Sequence, residues 1–506
     1  MKRHIMNIVN FVRGCEPRYE VDLLAPVIKE LETDRRFGLE DTFLLQYDAL
    51  LRDDMVAAFA GCGEETELGL WFEMCRALTE KVGIAWRGRP GYDWDWFVDP
   101  GFLEAYTPAE REALIDEAFR LFRERFGRYP EVAGSWLLDA HSMRYMAEKY
   151  GMKAFIICKE QINTDAYTLW GGPYSGGYFP SVNNALCPAS TEENQIPVPV
   201  FRMLGIDPIY SYNGEGRYYP PIASGVYTME PAWPLAQDPD VMDWFFREYY
   251  ENPCLNYSHA TTGQENSFGW EGFGRGYEMQ IGKLKSLSDR GIVSVEQLGK
   301  TGEAFRKSFP LTPPSALLAL TDWAKAGYRS VWYHSRFYRA DLFVEKGRLT
   351  FRDLMKFDER LPERYLSAPC AEWSATYENL PVVDAHRWAT ANDAAHEAAI
   401  AFPGEVLSLS AEADDARGSL TVTAKMRSGG EILVTFSERE VTVQGAGSLL
   451  LIPAAAKAKI RPTSHGFDFS YEGYDYSVAS SSQPISEGEN YRIPEKDGKI
   501  TLRMDL

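Results

Sequence analysis

Carboxylic acids follow strand-like stretches at several points of this sequence. Asp139 comes directly after the apolar run "EVAGSWLL" and before a helical pattern, and Glu265 follows a strand-like stretch that ends at His259. Two facing carboxylates can cleave a glycosidic bond, because one attacks or stabilises the oxocarbenium-like centre while the other protonates the leaving oxygen. The sequence therefore predicts Asp139 and Glu265 as a catalytic pair. Glu271 is an alternative acid, and capping of the following helix is an alternative role for Asp139.

Further polar and aromatic side chains stand at the predicted strand ends and in two long insertions. The insertions cover residues 86–102 and 167–197 and are rich in Trp, Tyr and Gly. Loops of this length in a compact protein are usually functional, and flat rings with a polar edge suit the faces of sugars. We therefore expect both insertions to form walls of a carbohydrate site. The predicted substrate-binding residues are Glu16, Gln46, Asp48, Glu73, Trp86, Trp136, His141, Lys159, Trp170, His259 and Trp270.

Metal and nucleotide sites are not predicted from the sequence. The seven histidines include no HxH, HxxxH or HExxH pair, and the seven cysteines include no CxxC pair. The strings "GGPYSGG" and "GWEGFGRG" lack the spacing of phosphate-binding loops, and no GxSxG stretch indicates a nucleophilic serine. We therefore expect no metal and no cofactor, which leaves carboxylate chemistry as the prediction.

The elements that must position these side chains alternate between strand and helix. Strand-like segments cover residues 4–11, 41–48 and 66–73, whereas helical periodicity covers residues 22–34 and 108–127. Such alternation is typical of parallel strands with right-handed crossovers, either in an α/β barrel or in an open doubly wound sheet. In a barrel, the loops at the carboxyl ends of the strands carry the chemistry.

The last part of the chain has a different pattern. From Gly404 onward, short runs of alternating apolar and polar residues, divided by Gly, Ser and Asp, indicate a β-sandwich. The sequence therefore predicts three parts. They are a catalytic barrel over residues 1–325, a linking β/α region over residues 326–403 and a β-sandwich over residues 404–506.

Composition narrows the classes of partner. The chain has 506 residues, 45% of them hydrophobic, and a formal net charge of −20 at pH 7. Nucleic acids and anionic membranes are bound mainly through clustered Lys and Arg, so neither is a predicted partner. No apolar run reaches the roughly 20 residues of a spanning helix, and the scattered cysteines favour a reducing compartment. We therefore expect a cytoplasmic protein with a carbohydrate substrate, and a homo-oligomer remains open.

Two stretches resemble segments of known carbohydrate-active families. The stretch "GSWLLDAHSMRYMAEKYGMKAF" is similar to the nucleophile segment of glycoside hydrolase family 57 and looks like the "W-x-x-D-x-x-G-H-S" pattern of family 38. The stretch "GQENSFGWEGFGRGYEMQIGKLKSL" resembles the family 57 loop that supplies the acid/base. By this resemblance Asp139 is the nucleophile and Glu265 is the acid/base. The chain also looks like an uncharacterised bacterial family of barrel-plus-sandwich proteins, and the polysaccharide-deacetylase (NodB-like) superfamily shares the barrel.

The resemblance implies a fold and an activity. The expected fold class is α/β, an incomplete (β/α)7 barrel with a C-terminal all-β sandwich domain. The expected activity is that of a glycoside hydrolase that cleaves a small oligosaccharide or glycoside by a two-carboxylate, retaining mechanism. A non-catalytic carbohydrate-binding protein and a metal-dependent polysaccharide deacetylase are the alternatives.

Overall fold

Strands dominate the chain in a computed structural model, which describes residues 3–159, 161–164, 167–169, 171–203, 207–210, 228–377, 379–384, 398–453 and 458–505. The strands before Leu298 are, in chain order, β1 (His4–Val12), β2 (Asp41–Leu45), β3 (Thr66–Trp71), β4 (Val132–Ser135), β5 (Ala154–Cys158), β6 (Gln161–Thr164), β7 (Tyr167–Leu169), β8 (Gly177–Tyr178), β9 (Pro180–Ser181), β10 (Asn184–Pro188), β11 (Val200–Met203), β12 (Ser258–Thr262) and β13 (Ser294–Val295).

Seven of these strands run parallel and form a nearly closed barrel. Their order is β12, β1, β2, β3, β4, β5 and β11, with the short strand β8 antiparallel beyond β11 and β13 beside β1. Eight of the nine residues of β1 are buried, as expected for a parallel strand covered on both faces. Because the seven strands share one direction, their carboxyl ends lie at one rim, and the side chains that follow them are brought together.

Helices separate most of the parallel strands. The described helices are α1 (Leu24–Phe37), α2 (Tyr47–Leu50), α3 (Asp53–Ala58), α4 (Arg76–Lys81), α5 (Val98–Gly101), α6 (Pro108–Phe126), α7 (Ala140–Tyr150), α8 (Pro239–Tyr250), α9 (Trp270–Asp289) and α10 (Leu298–Ser308). The helix predicted over residues 108–127 is confirmed as α6, which Thr107 begins with a capping box to Glu110. Between β5 and β11 the described residues form strands instead of a helix, so the sheet departs from the strict alternation of a (β/α)7 barrel.

Helix α9 begins earlier than the sequence pattern indicates. The glycines of "GWEGFGRG" predict a loop up to about Gly276, whereas α9 begins at Trp270. A Cβ at Gly274 would lie 2.5 Å from the Trp270 ring, and a Cβ at Gly276 would lie 2.5 Å from the Pro231 carbonyl. Close packing therefore explains these glycines, and the helix tolerates their cost of roughly 1 kcal/mol each.

The rest of the chain forms two large antiparallel sheets. The strands are β14 (Ser315–Ala319), β15 (Arg329–His334), β16 (Tyr338–Glu345), β17 (Arg348–Lys356), β18 (Ala375–Thr376), β19 (Leu380–Asp384), β20 (Ala399–Ala401), β21 (Val406–Asp414), β22 (Ser419–Met426), β23 (Glu431–Phe436), β24 (Glu440–Gln444), β25 (Ser448–Ile452), β26 (Lys459–Thr463), β27 (Gly466–Tyr471), β28 (Tyr474–Ser480), β29 (Ile485–Glu487), β30 (Asn490–Pro494) and β31 (Lys499–Arg503). One sheet has the order β14, β15, β16, β17, β20, β25, β30, β29, with β19 also paired to β17. The other has the order β21, β22, β23, β24, β31, β28, β27, β26, and β18 joins β6 and β7 in a small separate sheet.

The two large sheets share one apolar core, as in a sandwich. Buried side chains of both sheets belong to the same cluster, and Tyr333 of β15 stacks on Phe436 of β23 with ring centroids 5.1 Å apart. Strands β15, β16 and β17, which come from the linking region of the sequence, therefore lie in the same sheet as strands after Gly404. In the described part of the chain, no helix is long and apolar enough to span a membrane.

Candidate functional site

Arg13 lies at the centre of a buried ion-pair cluster at the carboxyl rim of the barrel. It follows β1 directly, Glu73 follows β3, and Glu265 follows β12. The Nε and Nη2 atoms of Arg13 donate to Glu73 at 2.8–3.0 Å, and Nη1 lies 2.8 Å from a Glu265 oxygen. Burial alone would lower the pKa of Arg13, but the charges of Glu265 and Glu73 raise it above its ordinary value. One arginine thus bridges two buried carboxylates.

Three tryptophans enclose this cluster. Trp71 and Trp136 donate their indole N–H groups to Glu73 at 2.8 and 2.9 Å. The Arg13 guanidinium lies 4.1 Å from the Trp94 ring centroid, which is a cation–π contact. All three rings are at most 7% exposed. Glu73 is therefore surrounded by donors and anchors Arg13, and Trp136 takes part through its N–H group more than as an open platform.

Glu265 has partners that reach the surface of the rim. Its carboxylate accepts a short hydrogen bond from the Ser267 hydroxyl, and the Arg18 guanidinium lies 3.7 Å away. The Tyr19 hydroxyl donates to the Ser267 carbonyl at 3.0 Å, and Tyr19 is 47% exposed. An exposed aromatic ring therefore stands beside Glu265.

A second buried carboxyl group, Glu230, lies close to Glu265. Glu230 accepts hydrogen bonds from the Trp233 indole N–H at 2.7 Å and from the Gln264 amide at 2.8 Å. Burial and the charge of Glu265 raise the pKa of Glu230 to about 7. The site thus contains one carboxyl group with neutral donors and a second that is paired with the Arg13 cation. Such a difference in environment is what separates an acid from a base in catalysis.

Asp139 lies in a different ion-pair cluster. It is the N-cap of α7, where it accepts the Ser142 backbone N–H at 2.9 Å, and it pairs with Arg111 at 2.8 Å. The Asp139 and Arg111 side chains are both 0% exposed. Burial and the charge of Asp139 raise the pKa of Glu104 to about 7 and that of Glu363 to about 8. These contacts support the capping alternative, and the predicted catalytic pair is divided between two clusters.

Glu363 connects the Asp139 cluster to distant parts of the chain. Its carboxyl oxygens accept the Ala140 N–H at 2.7 Å and the Ala185 N–H at 2.8 Å. Tyr377 donates to Glu104 at 2.9 Å. Residues that follow the barrel in sequence therefore complete the contacts of α7 and of the second insertion.

Three predicted binding residues support the loops of the rim. Glu16 pairs with Arg18 at 2.6 Å. Gln46 donates to a backbone carbonyl just beyond β3 at 3.1 Å. Asp48 accepts two backbone N–H groups of the loop after β1, both at 2.9 Å. All three residues lie at the carboxyl rim of the barrel, where they were predicted to lie. Their contacts hold the loop that carries Arg13.

Trp86 and Trp270, both predicted to bind substrate, pack within their own segments. The Trp86 indole N–H donates to the Tyr92 carbonyl at 2.8 Å, inside the first insertion. The Trp270 ring packs on Phe273 of the same helix, with ring centroids 5.4 Å apart. Sequence composition shows that aromatic rings are present, but it does not show whether a ring faces the substrate site or packs against its neighbours.

The remaining predicted residues lie elsewhere. His141 is on α7, and its Nε2 atom lies 3.1 Å from Glu112. Glu271, the alternative acid, is exposed in the first turn of α9, where an acidic residue favours the helix dipole. Trp170, also predicted to bind substrate, lies outside the described residues.

Lys159 and His259 are buried at the rim and in the adjoining barrel wall. Lys159 follows β5, and its Nζ atom lies 4.3 Å from the Tyr174 ring centroid. His259 lies in β12 and is bonded through Nε2 to the Asn7 side chain at 2.7 Å. Burial and the neighbouring Arg202 charge hold the pKa of Lys159 well below its ordinary value. Burial and Lys159 lower the pKa of His259 to about 3.

The described residues do not fit a catalytic metal. Among them, no group of three or more His, Cys, Asp or Glu side chains could hold a metal ion. The carboxylates of the rim are instead paired with Arg13, and His259 is bonded to an amide. The metal of a metal-dependent deacetylase would therefore find no ligand set in this part of the chain.

Arg13, Trp94 and Glu230 belong to the site but are not among the residues predicted from the sequence. Arg13 has a usable signal, because it is a cation directly after an apolar strand. Trp94 lies in the first insertion, whose aromatic density was the signal. Glu230 follows no described strand and precedes α8, so neither periodicity nor a strand end marks it.

Comparisons with known proteins bear on the fold. No protein-family model matches the chain, and no curated protein matches it significantly. A provisionally named glycoside hydrolase/deacetylase from Parabacteroides distasonis is similar over 74% of this chain and 90% of its own, with a TM-score of 0.52 and 15% identity. This similarity supports the fold alone.

Two further solved structures are more distant. A provisionally named polysaccharide deacetylase from Mycobacterium smegmatis has a TM-score of 0.36 and 11% identity, over 61% of this chain and 93% of its own. A GH57 branching enzyme from Thermococcus kodakaraensis has a TM-score of 0.29 and 12% identity, over 61% of this chain and 72% of its own. Both scores are too low to support an argument.

Proposed function

We propose that this protein is a hydrolase that cleaves a glycosidic bond with Glu230 and Glu265 as its two carboxyl groups. The observation that carries the proposal is the contrast between their partners: Glu265 faces the Arg13 cation, whereas Glu230 is held by the neutral donors of Trp233 and Gln264. The raised pKa of Glu230, about 7, agrees with a group that keeps its proton near neutral pH. A general acid needs that property.

The proposed reaction assigns one role to each group. Glu265 attacks the anomeric carbon while Glu230 gives its proton to the glycosidic oxygen, so the bond to the leaving group breaks. Glu230 then removes a proton from water, and the water releases the sugar from Glu265. Arg13 holds Glu265 in place and is itself anchored by Glu73 at 2.8 Å. Asp139 positions α7 in this assignment.

A carbohydrate substrate is supported by the surface next to Glu265. Tyr19 is 47% exposed and is fixed through Ser267, so its ring can stack on a sugar face. The P. distasonis protein with the same fold carries a provisional name in the same class of activity. That name also includes deacetylase, so the test must separate cleavage of a glycosidic bond from removal of an acetyl group.

The test compares three variants on a panel of oligosaccharides and 4-nitrophenyl glycosides, with new reducing ends and released acetate measured in parallel. Glu265→Gln should abolish the release of reducing ends. Glu230→Gln should slow natural glycosides by about 10²–10⁴-fold and spare nitrophenyl glycosides, whose leaving group needs no proton. Glu271→Gln is the matched control, because Glu271 is exposed on α9, and it should retain the wild-type rate.

Three outcomes would contradict the proposal. Near wild-type cleavage by Glu265→Gln would remove Glu265 from the chemistry. Release of acetate without new reducing ends would assign the protein to the deacetylases instead. Binding of oligosaccharide without either product would support the non-catalytic alternative.

A further inference from the structure

A cluster of basic side chains is buried where the barrel meets the antiparallel sheet that contains β15. Lys159 follows β5, Arg202 lies in β11, His259 lies in β12, and His334 lies in β15. Each of the four residues is at most 3% exposed. Most buried charged groups in proteins have a partner of opposite charge, because an unpaired buried charge is costly. The cluster therefore requires an explanation.

Three nitrogen atoms in this cluster have no hydrogen-bond partner among the described residues. They are Nζ of Lys159, Nη2 of Arg202 and Nδ1 of His259. The other guanidinium atoms of Arg202 donate to three backbone carbonyls at 2.8–3.2 Å, so this side chain is held in position while Nη2 is left over. Buried polar atoms are nearly always satisfied, so the unpaired donor atoms of Lys159 and Arg202 indicate a missing acceptor. Nδ1 of His259 does not add to this count, because Nε2 carries the proton that it donates to Asn7 and Nδ1 is itself an acceptor.

The electrostatic environment indicates the charge of that acceptor. Burial and the Arg202 charge lower the pKa of Lys159, and burial together with Lys159 and Arg202 lowers that of His334 to about 3. In the described part of the chain, no carboxylate appears among the groups that shift Lys159, His259 or His334. The chain has a net charge of −20, yet the described residues supply no carboxylate counter-ion to this buried basic cluster.

We propose that Lys159 and Arg202 bind an oxyanion group, either a carboxylate or a phosphate. An anion supplies acceptors for Nζ of Lys159 and Nη2 of Arg202, and its charge offsets that of Arg202 and that of a protonated Lys159. Because a nearby negative charge favours a protonated lysine, binding of the anion raises the pKa of Lys159 and draws protons from the medium. The contacts are shielded from water, since Tyr174 lies over Lys159 and stacks on Trp332 with centroids 3.8 Å apart.

This cluster adjoins the Arg13 cluster along the rim. Trp136, which donates to Glu73, also accepts the Cys158 backbone N–H at 3.2 Å, and Lys159 is the next residue. The oxyanion can therefore belong to a free ion or to the acidic group of a sugar whose glycosidic bond reaches Glu265. Only the second source rests on the proposed function.

The test uses isothermal titration calorimetry with inorganic phosphate, D-glucuronate and D-glucose, in two oxyanion-free buffers of different ionisation enthalpy. Wild-type protein should bind phosphate or glucuronate with net uptake of protons, up to about one per site, and glucose should cause no proton uptake. Lys159→Met should weaken anion binding at least tenfold. Lys29→Met is the matched control, because Lys29 is exposed and paired with Glu32 at 2.8 Å, and it should bind as the wild type does.

The two sources of the oxyanion give different results. Binding of phosphate alone assigns a free ion, whereas tighter binding of glucuronate assigns an acidic sugar. The proposal is overturned if neither anion binds to the wild type at up to about 10 mM, or if binding occurs without proton uptake. Equal binding by Lys159→Met would also overturn it. The titration of the wild type does not depend on the folding of any variant. Anion binding by Glu265→Gln would show that the oxyanion site holds even if the proposed hydrolysis fails.

Discussion

Replacing Asp139 distinguishes its structural role from a catalytic one. Asp139→Asn keeps the N-cap, since Asn accepts the same backbone hydrogen bond, but removes the charge that pairs with Arg111 at 2.8 Å. Arg111 is 0% exposed, so its charge would stay buried without its partner. Breaking one side of a buried pair costs about 3–5 kcal/mol.

The surroundings of Arg111 place the expected cost at the lower end of that range. Arg111 keeps hydrogen bonds to the carbonyls of Tyr106, at 2.7 Å, and Glu104, at 3.2 Å. The charge of Asp139 contributes to the raised pKa of Glu104, so its removal allows Glu104 to ionise and to face Arg111. We therefore expect Asp139→Asn to lower the free energy of unfolding by about 3 kcal/mol. Asp139→Ala should cost about 1 kcal/mol more, because it also removes the cap.

Urea denaturation at pH 7 measures this loss as a shift of the midpoint at constant slope. The double variant Asp139→Asn with Arg111→Met should recover most of the stability, because no unpaired charge remains. At temperatures where each variant is folded, turnover per folded molecule should stay close to that of the wild type. Loss of turnover by about 10³-fold or more with stability unchanged within about 1 kcal/mol would refute this reasoning and return the nucleophile to Asp139.

Three further predictions concern protons and charges in the barrel. Activity should fall as the pH rises through about 7, because the pKa of Glu230 is about 7 and the group loses its proton above that value. On a nitrophenyl substrate, Glu230→Gln should abolish this fall of the rate at high pH. An unchanged fall in the variant would count against Glu230 as the general acid. Burial raises the folded-state pKa of Glu30, Asp34 and Asp41, and that of Asp41 reaches about 7. These groups therefore stabilise the fold fully when the pH is below their pKa in the unfolded chain, near 4. This stabilisation is lost as the pH rises toward 7. Urea denaturation at pH 4.5 and 7.5 should show a lower free energy of unfolding at the higher pH, and Asp41→Asn should reduce this difference. An equal difference in the wild type and the variant would contradict the raised pKa of Asp41. Arg13→Met leaves buried Glu73 without a cation and Glu265 with Arg18 alone, and it should cost about 3–5 kcal/mol in urea denaturation. Arg13→Lys should restore only part of this loss, because lysine cannot form the two-pronged contact.

The sequence was sufficient to predict which rim of the barrel carries the polar side chains. Strand ends are local features, and Glu73 and Glu265 both follow predicted strands. The partners of these residues were not predictable, because Arg13 is 60 residues from Glu73 and 253 to 254 positions separate it from the loop of Asn266 and Ser267. Pairing over such separations depends on strand order, which hydrophobic periodicity does not report.

Asp139 shows what residue type and position together leave open. An acid at a strand-to-helix junction has the same local pattern whether it caps the helix or attacks a substrate. The contact that supports the capping role is with Arg111, which lies 28 residues earlier on α6. Glu230 differs from Asp139, because no strand-like or helical pattern marks its position in the sequence. Tertiary packing alone brings it close enough to feel the charge of Glu265.

The hydrogen bonds of Glu363 have a consequence for synthesis of the chain. Their donors, Ala140 and Ala185, leave the ribosome 223 and 178 residues before Glu363 does. At about 5–20 residues per second, the first of these N–H groups remains without its acceptor for about 10–45 s. A nascent chain that already contains every parallel strand of the barrel therefore still lacks a contact that joins α7 to β10. A fragment that ends at residue 325 should for this reason expose those N–H groups permanently, and it should be captured by chaperones or proteases more readily than the full chain.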